Sequence, residues 1–266
     1  MTKVAAVQMV SAPEVEPNLR AAGRLIAEAV RGGAKLVALP EYFCILGNTG
    51  ADKVKVRETE GSGPIQAFLA DAAKRHGVWI VGGTVPLACA DPARVRSACF
   101  VHDARGERVA RYDKMHLFAF ERGTERYDEA LTIEPGDTPV AVATPFGRLG
   151  LSICYDLRFP ELYRCWGAVD ACFVPSAFTA TTGAAHWETL LRARAIENQC
   201  YVVAPAQGGL HANGRRTHGH SMVVDPWGEV LAMKPEGEGV IFADIDPARI
   251  AEVRKSLPAL EHRRKT

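Results

Sequence analysis

The chain has 266 residues, with 32 Lys and Arg against 31 Asp and Glu and a formal net charge of +1. That length can bury a full hydrophobic core, and so even a charge gives no general attraction to nucleic acid or to an anionic membrane surface. No apolar run approaches the ~20 residues that span a bilayer. The N-terminal Met1-Thr-Lys-Val-Ala-Ala-Val begins a strand directly and lacks the basic and apolar regions of a secretory leader. Seven cysteines, an odd number without a CxxC pair, mostly lie inside apolar runs and read as reduced thiols of a cytoplasmic protein. The basic end His262-Arg263-Arg264-Lys265 reads as a solvated terminus.

Periodicity predicts a strand over 4–10, then a helix over 18–31 that stops at Gly32-Gly33. A strand over 35–40 follows, with Glu41 just beyond its end. A helix is predicted over 64–75, an apolar strand over 78–85, and a hairpin over 97–112 turning at Asp103-Ala-Arg-Gly106. Residues 118–138 have little periodicity and read as an irregular excursion. Phe146-Gly147-Arg148 leads into a strand that ends on Cys154. A helix near 160–168, a strand over 171–175, a loop over 176–183 and a helix over 186–198 come next, the last with Trp187, Leu190, Leu191 and Ile196 inward. A strand over 200–206, a hairpin over 221–233 around Asp225-Pro-Trp-Gly228, a strand over 240–245, a short helix and a tail of about 257–266 complete the chain. With no linker-like shift in composition, the pattern predicts a single mixed-sheet α/β domain over 1–266, for which two layers of sheet between helices would account.

A thiol at the end of a buried strand, as at Cys154, is held in place for nucleophilic attack on a carbonyl. It then needs a proton acceptor, a donor for the oxyanion and an acid for the leaving group. Glu41 and Lys114 are also placed at strand ends, where functional groups gather in α/β sheets. Each has an ordinary reading too: core filler for the cysteine, solvated charge for the others. A Cys–His dyad using His116 is a chemical alternative. His116, His211, His218 and His220 lack paired ligand spacing, so no metal is expected. Arg192 and Arg194, beside Glu188 and Glu197 on one helix, read as ion-paired support.

Leu39-Pro40-Glu41, Lys114-Met115-His116-Leu117 and Cys154-Tyr-Asp-Leu-Arg-Phe-Pro-Glu161 together resemble the nitrilase superfamily of carbon–nitrogen hydrolases. So do Pro175-Ser-Ala-Phe178, Thr182-Gly183 with His186-Trp-Glu188, Arg192-Ala-Arg194-Ala-Ile-Glu-Asn198, and Gly219-His-Ser221 with Asp225-Pro-Trp-Gly228. The resemblance runs from Val4 to about Arg263. It implies a four-layer αββα sandwich, a homodimer stacked through helices beside the active site, and hydrolysis without metal or cofactor. It also implies a Glu41–Lys114–Cys154 triad, with the backbone N–H of Tyr155 as oxyanion donor. A second glutamate commonly assists in this family. Glu129 is the candidate, although Ala130 replaces the usual serine and Glu121 and Glu125 lie nearby.

Tyr155 favours amides over nitriles, because nitrilases resembling this chain carry Trp there. The cysteine motif looks like the branch acting on deaminated glutathione and α-ketoglutaramate. The resemblance therefore implies a small carboxylate-bearing amide cleaved to acid and ammonia through a thioester acyl-enzyme, with deaminated glutathione foremost. The alternatives are an ω-amidase, an N-carbamoyl amino acid amidohydrolase and, in another class, a non-catalytic scaffold. Arg158 offers a planar fork for a substrate carboxylate, or else pairs with Glu161 or Asp156. Phe178 and Thr182 would line the pocket, and the loop 42–50 its rim.

Overall fold

The computed structural model describes residues 1–123 and 125–264. Its layering follows from strands that are apolar on both faces. Successive side chains of β1 (Thr2–Gln8) point to opposite sides, so Val4 and Ala6 enter one core cluster while Ala5 and Val7 enter another. β2 (Leu36–Leu39) and β3 (Trp79–Gly82) continue the sheet in parallel and divide the same way, with Ala38 and Val81 on one side and Val37 and Ile80 on the other. Such sheets must be covered on both faces. α1 (Val15–Arg31) and α3 (Pro64–His76) cover the outer one with Leu25, Ile26, Ile65 and Leu69. Between β2 and α3 the chain makes a long excursion containing the single-turn α2 (Asp52–Lys55).

The apolar run 78–85, expected as one strand, is two. The chain turns at Gly83 (φ +58°) and resumes as β4 (Val85–Ala88), which pairs with β5 (Val95–His102). A Cβ on residue 83 would stand 2.2 Å from the Pro40 carbonyl oxygen, so glycine is required where this turn presses on the end of β2. β6 (Arg108–Asp113) completes the predicted hairpin with β5. The stretch expected to be irregular contains a hairpin, β7 (Ala119–Arg122) with β8 (Glu125–Asp128). Its strands are four residues long and largely exposed, so they leave little pattern to read.

The second sheet begins with the antiparallel pair β9 (Val140–Thr144) and β10 (Gly147–Leu151), then runs parallel through β11 (Ala171–Phe173) and β12 (Tyr201–Ala204). The hairpin of β13 (Gly208–Leu210) and β14 (Arg216–His218) stands apart. β15 (Ser221–Val224) and β16 (Val230–Lys234) finish the second sheet, and β17 (Gly239–Ile245) returns to the first beside β1. α4 (Pro160–Cys165) and α5 (Ala180–Asn198) cover this sheet from outside. On β10, a Cβ at Gly150 would lie 2.4 Å from the Trp166 ring at the end of α4. Leu149 and Leu151 therefore face the other way and join Val4, Ala38 and Val101 between the sheets. The order helix, sheet, sheet, helix is the αββα sandwich.

Two helix details differ from expectation. α5 begins at Ala180, where the Thr179 hydroxyl accepts the Thr182 N–H at 3.1 Å, so Thr182 lies in its first turn rather than in a loop. Ile196, expected inward, is 47% exposed. It lies nine positions after the buried Trp187, and at 3.6 residues per turn that is about half a turn round the axis. The chain ends with α6 (Pro247–Ser256) and a tail whose residues 265 and 266 lie outside the described residues. No helix among the described residues is long and apolar enough to cross a membrane.

Gly150→Ala is expected to lower stability by roughly 1–3 kcal/mol, because the added methyl must displace a packed indole. Urea unfolding would record a lower midpoint with an unchanged slope.

Candidate active site

Three strand ends and one hairpin bring four chemical groups together. Glu41 follows β2, Lys114 follows β6, Cys154 lies three residues past β10, and Glu129 follows β8. The segment before the cysteine is still laddered to the second sheet: the Ser152 N–H donates to the Phe173 carbonyl at 3.1 Å and the Cys154 N–H to the Pro175 carbonyl at 2.9 Å. Cys154 itself adopts a left-handed backbone (φ +49°), and so does Tyr42 next to Glu41 (φ +57°). Left-handed non-glycine residues cluster at functional sites.

Lys114 is fully buried. Its Nζ donates to Glu41 Oε1 at 2.7 Å and to Glu129 Oε1 and Oε2 at 2.9 and 2.7 Å. Glu129 also accepts from the Tyr42 hydroxyl at 2.7 Å and from the Phe118 N–H at 2.7 Å. Of the three candidate glutamates it is the one on the lysine: Glu125 accepts from Thr181 at 2.6 Å, and Glu121 is exposed. Alanine at 130 does not loosen this turn, since Asp128 caps it by accepting the Ala130 N–H at 3.0 Å.

Charge is shared unequally among these groups. Burial works against the Lys114 ammonium, yet Glu129 and Glu41 hold its pKa well above the usual lysine value. Burial raises Glu129 too, but the lysine more than compensates, and that carboxylate ends below its ordinary range. Glu41 goes the other way: desolvation, with repulsion from Glu129, outweighs the lysine and raises its pKa. Burial, and then the Glu41 charge, push the Cys154 thiol well above the usual cysteine value, against the pull of Lys114 and of the Ala177 N–H. The resting sulfur is thus a protonated thiol beside a carboxylate of raised proton affinity.

Asp156, two residues after the cysteine, is the brace that sequence reasoning did not single out. Fully buried, it accepts from the Tyr112 hydroxyl at 2.7 Å, the Ile153 N–H at 2.8 Å and the His116 N–H at 3.0 Å. Its Oδ1 also lies 2.7 Å from His116 Nδ1, while the His116 ring stacks on Phe159 with centroids 3.8 Å apart. His116 is therefore engaged by Asp156 rather than set as a base for the thiol. Gln207 holds the other side, donating to the Glu41 carbonyl at 3.0 Å and to Ser11 Oγ at 2.7 Å. Arg194 pairs with Glu197 at 2.8 Å, as expected, and donates to the Leu157 carbonyl at 2.7 Å, which ties α5 to the cysteine turn.

Tyr155, Arg158, Phe178 and Thr182 line a narrow cleft with Cys154 and Phe118. The Tyr155 N–H lies in the first turn of the short helix Cys154–Arg158, where N–H groups have no intrahelical acceptor. Arg158 pairs with neither Glu161 nor Asp156. Its Nη1 lies 3.2 Å from His186 Nδ1, and its guanidinium faces the Tyr155 and Phe178 rings at 5.6 and 5.4 Å. A second cleft, of about 540 Å³, opens beyond Phe118 and is bounded by Tyr42, the loop that follows it, and Glu129. The loop 42–50 expected as a rim is one wall of it.

The carbon-nitrogen hydrolase family profile matches residues 3–255. The chain belongs to that family. A deaminated glutathione amidase from Synechocystis is 46% identical, the match covering 97% of each chain. The crystal structure of the NitFhit protein of Caenorhabditis elegans superposes with a TM-score of 0.91 at 41% identity, covering 99% of this chain and 65% of that longer one. Nit3 of Saccharomyces cerevisiae, a member of branch 10 of the nitrilase superfamily, superposes with a TM-score of 0.87 at 32% identity, covering 97% and 94%. These kinships make the protein a carbon–nitrogen hydrolase and an amidase.

Asp156→Asn would turn an amide NH₂ toward a buried donor. It is expected to cost roughly 1–3 kcal/mol in urea unfolding, and steady-state kinetics should show kcat falling more than KM rises.

Proposed function

We propose that the protein hydrolyses a carboxylate-bearing amide through a thioester on Cys154, with deaminated glutathione as the foremost substrate. The observation that carries the chemistry is the buried Lys114 ammonium, held between Glu41 and Glu129 beside a thiol. The Synechocystis relative supports the substrate.

Glu41 accepts the Cys154 proton as the sulfur attacks the amide carbon, and the carbonyl π pair moves to oxygen. Lys114 and the Tyr155 N–H stabilise that oxyanion. On collapse the C–N bond breaks, and the protonated Glu41 delivers its proton to the departing nitrogen. The expected ammonia leaves only from a primary ω-amide; from deaminated glutathione the amine that leaves is cysteinylglycine. Glu41 then takes a proton from water as the water attacks the thioester, and the thiol is restored. Glu129 fixes Lys114 and orients the scissile nitrogen. No step calls for a metal or cofactor. Arg158 receives the acyl carboxylate, supported by the absence of a carboxylate partner among the described residues, and Phe178 and Thr182 shape the pocket around it.

In this reading residues 1–266 act as one domain, supported by a core cluster that runs through both sheets. The enzyme works in the cytoplasm, in keeping with seven unpaired thiols, and as a homodimer stacked through the helices beside the active site. The ω-amidase reading shares all of this chemistry.

Cys154→Ala should abolish turnover and Cys154→Ser nearly so; full activity in a clean Cys154→Ala preparation would refute the scheme. Kinetics on deaminated glutathione, α-ketoglutaramate and simple aliphatic amides should give the highest kcat/KM on the first, and a maximum on simple amides would remove the substrate assignment. Release of CO₂ with ammonia would instead mark a carbamoyl substrate. Because Glu41 must be ionised to act and its pKa is raised, kcat/KM should fall with acidification at a pH above the ordinary carboxylate range. Glu129→Gln removes a negative neighbour that raises Glu41, so the pH–rate profile should show a lower plateau and an acid limb moved to lower pH.

A further inference from the structure

The cleft beyond Phe118 carries positive charge that the proposed chemistry does not use. Lys53, Arg126 and Arg215 line it. Lys53 donates to a neutral partner, Thr132 Oγ1, at 3.3 Å, and its ammonium lies 5.3 Å from the centre of the Tyr42 ring. Arg215 donates Nη2 to the Ala177 carbonyl at 2.7 Å and lies 5.0 Å from the centre of the Tyr127 ring, while its Nε is buried without a hydrogen-bond partner. Arg126 is exposed at the mouth. Two carboxylates line the cleft as well: Glu129 is already engaged by Lys114, Tyr42 and Phe118, and the exposed Asp128 accepts the Ala130 N–H and pairs with none of the three cations. Burial pushes the Lys53 pKa down, and the Lys114 and Arg215 charges add to that; the attraction of Glu129 does not restore it. Cations drawn partly out of water, as the half-buried Lys53 and Arg215 are, normally have an anionic partner. Among the described residues, Lys53 and Arg215 form no ion pair.

The cleft also adjoins the nucleophile. Ala177, whose carbonyl Arg215 holds, directs its N–H at the Cys154 sulfur, and Phe118 lines both this cleft and the narrow one around Cys154. A departing ammonia needs no such volume, whereas about 540 Å³ falls in the usual range for small-molecule sites.

We propose that this cleft is the subsite for the amine portion of the substrate, and that it binds a free carboxylate on that portion through Lys53 and Arg215. The inference rests on the amidase reading and narrows its substrate class. The preferred amide is anionic at both ends, its acyl carboxylate on Arg158 and its amine-side carboxylate across Phe118, as a peptide-like leaving group with a free C-terminus would provide.

The test uses two substrates with the same acyl group, deaminated glutathione and its C-terminal carboxamide. A charge-assisted hydrogen bond is lost in the second, so the wild-type enzyme should favour the free acid by roughly tenfold or more in kcat/KM, mainly through KM. In Lys53→Met that ratio should shrink toward one, and in Lys53→Arg, which keeps the charge, it should persist. Equal kcat/KM on the two substrates in the wild type, or an undiminished ratio in a folded Lys53→Met, would overturn the subsite and leave the amidase reading standing. No turnover of either substrate, with no acyl adduct on Cys154 by mass spectrometry, would overturn the amidase reading and the subsite together.

Discussion

The whole site depends on an ammonium group with no access to water. An isolated buried charge of this kind would cost several kcal/mol or would lose its proton; Lys114 is kept charged by two carboxylates within 2.9 Å. One positive charge cannot neutralise two negative ones, and the surplus decides where a proton resides. Glu129, with Tyr42 and the Phe118 N–H as further donors, takes most of the benefit. Glu41 is left with raised proton affinity next to a thiol whose own ionisation is suppressed. The pair thus holds a proton that can pass from sulfur to carboxylate when a carbonyl carbon arrives to take the electron pair. Activation is deferred to the moment of attack, and no reactive thiolate stands exposed beforehand.

Such an arrangement tolerates little movement, and the surrounding contacts restrain each member. Asp156 gathers donors from both sides of the cysteine turn and from the strand end that carries Lys114. Gln207 fixes the Glu41 backbone, and the Gly83 turn presses on Pro40 from the other side. The left-handed backbone at Cys154 and Tyr42 costs of order 1–3 kcal/mol at each residue. Their amides are held by the Pro175 carbonyl and by Thr84 Oγ1, at 2.9 and 2.8 Å. Strain that would relax in isolation is sustained by bonds from elements far away in sequence.

Much of this was legible in the chain. Strands buried on both faces leave dense apolar runs, so β1, β2 and β12 stood out, and the residues that end strands marked Glu41, Lys114 and Cys154. What stayed hidden obeys different physics. The hairpin carrying Glu129 is short and half in solvent, so its alternation never rises above that of a loop. The run 78–85 is uniformly apolar, and hydropathy does not register the kink at Gly83, past which the chain continues along β5 in the same direction. Asp156 was visible as part of a motif, but its role arises from Tyr112 and His116, some forty residues away. Lys53 and Arg215 carry no signal in the sequence, because nothing local foretells that segments so far apart in the chain will line one cleft.

Glu41 and Lys114 hang from the first sheet and Cys154 from the second, and polar ties at the sheet ends join the two: the Met9–Gln207 bridge, the Ser221 N–H on Gln8, Gln207 on the Glu41 carbonyl, and Tyr112 and His116 on Asp156. Away from these ties the interleaved side chains, among them Val4, Ala38, Val101, Leu149 and Leu151, set the distance between the sheets. The site is therefore a gauge of layer packing as much as of local structure. A loosened state with both sheets intact but their interface fluid would retain its backbone order while parting base from nucleophile. In this architecture the tight interior between the sheets is the part of the fold that aligns the reaction.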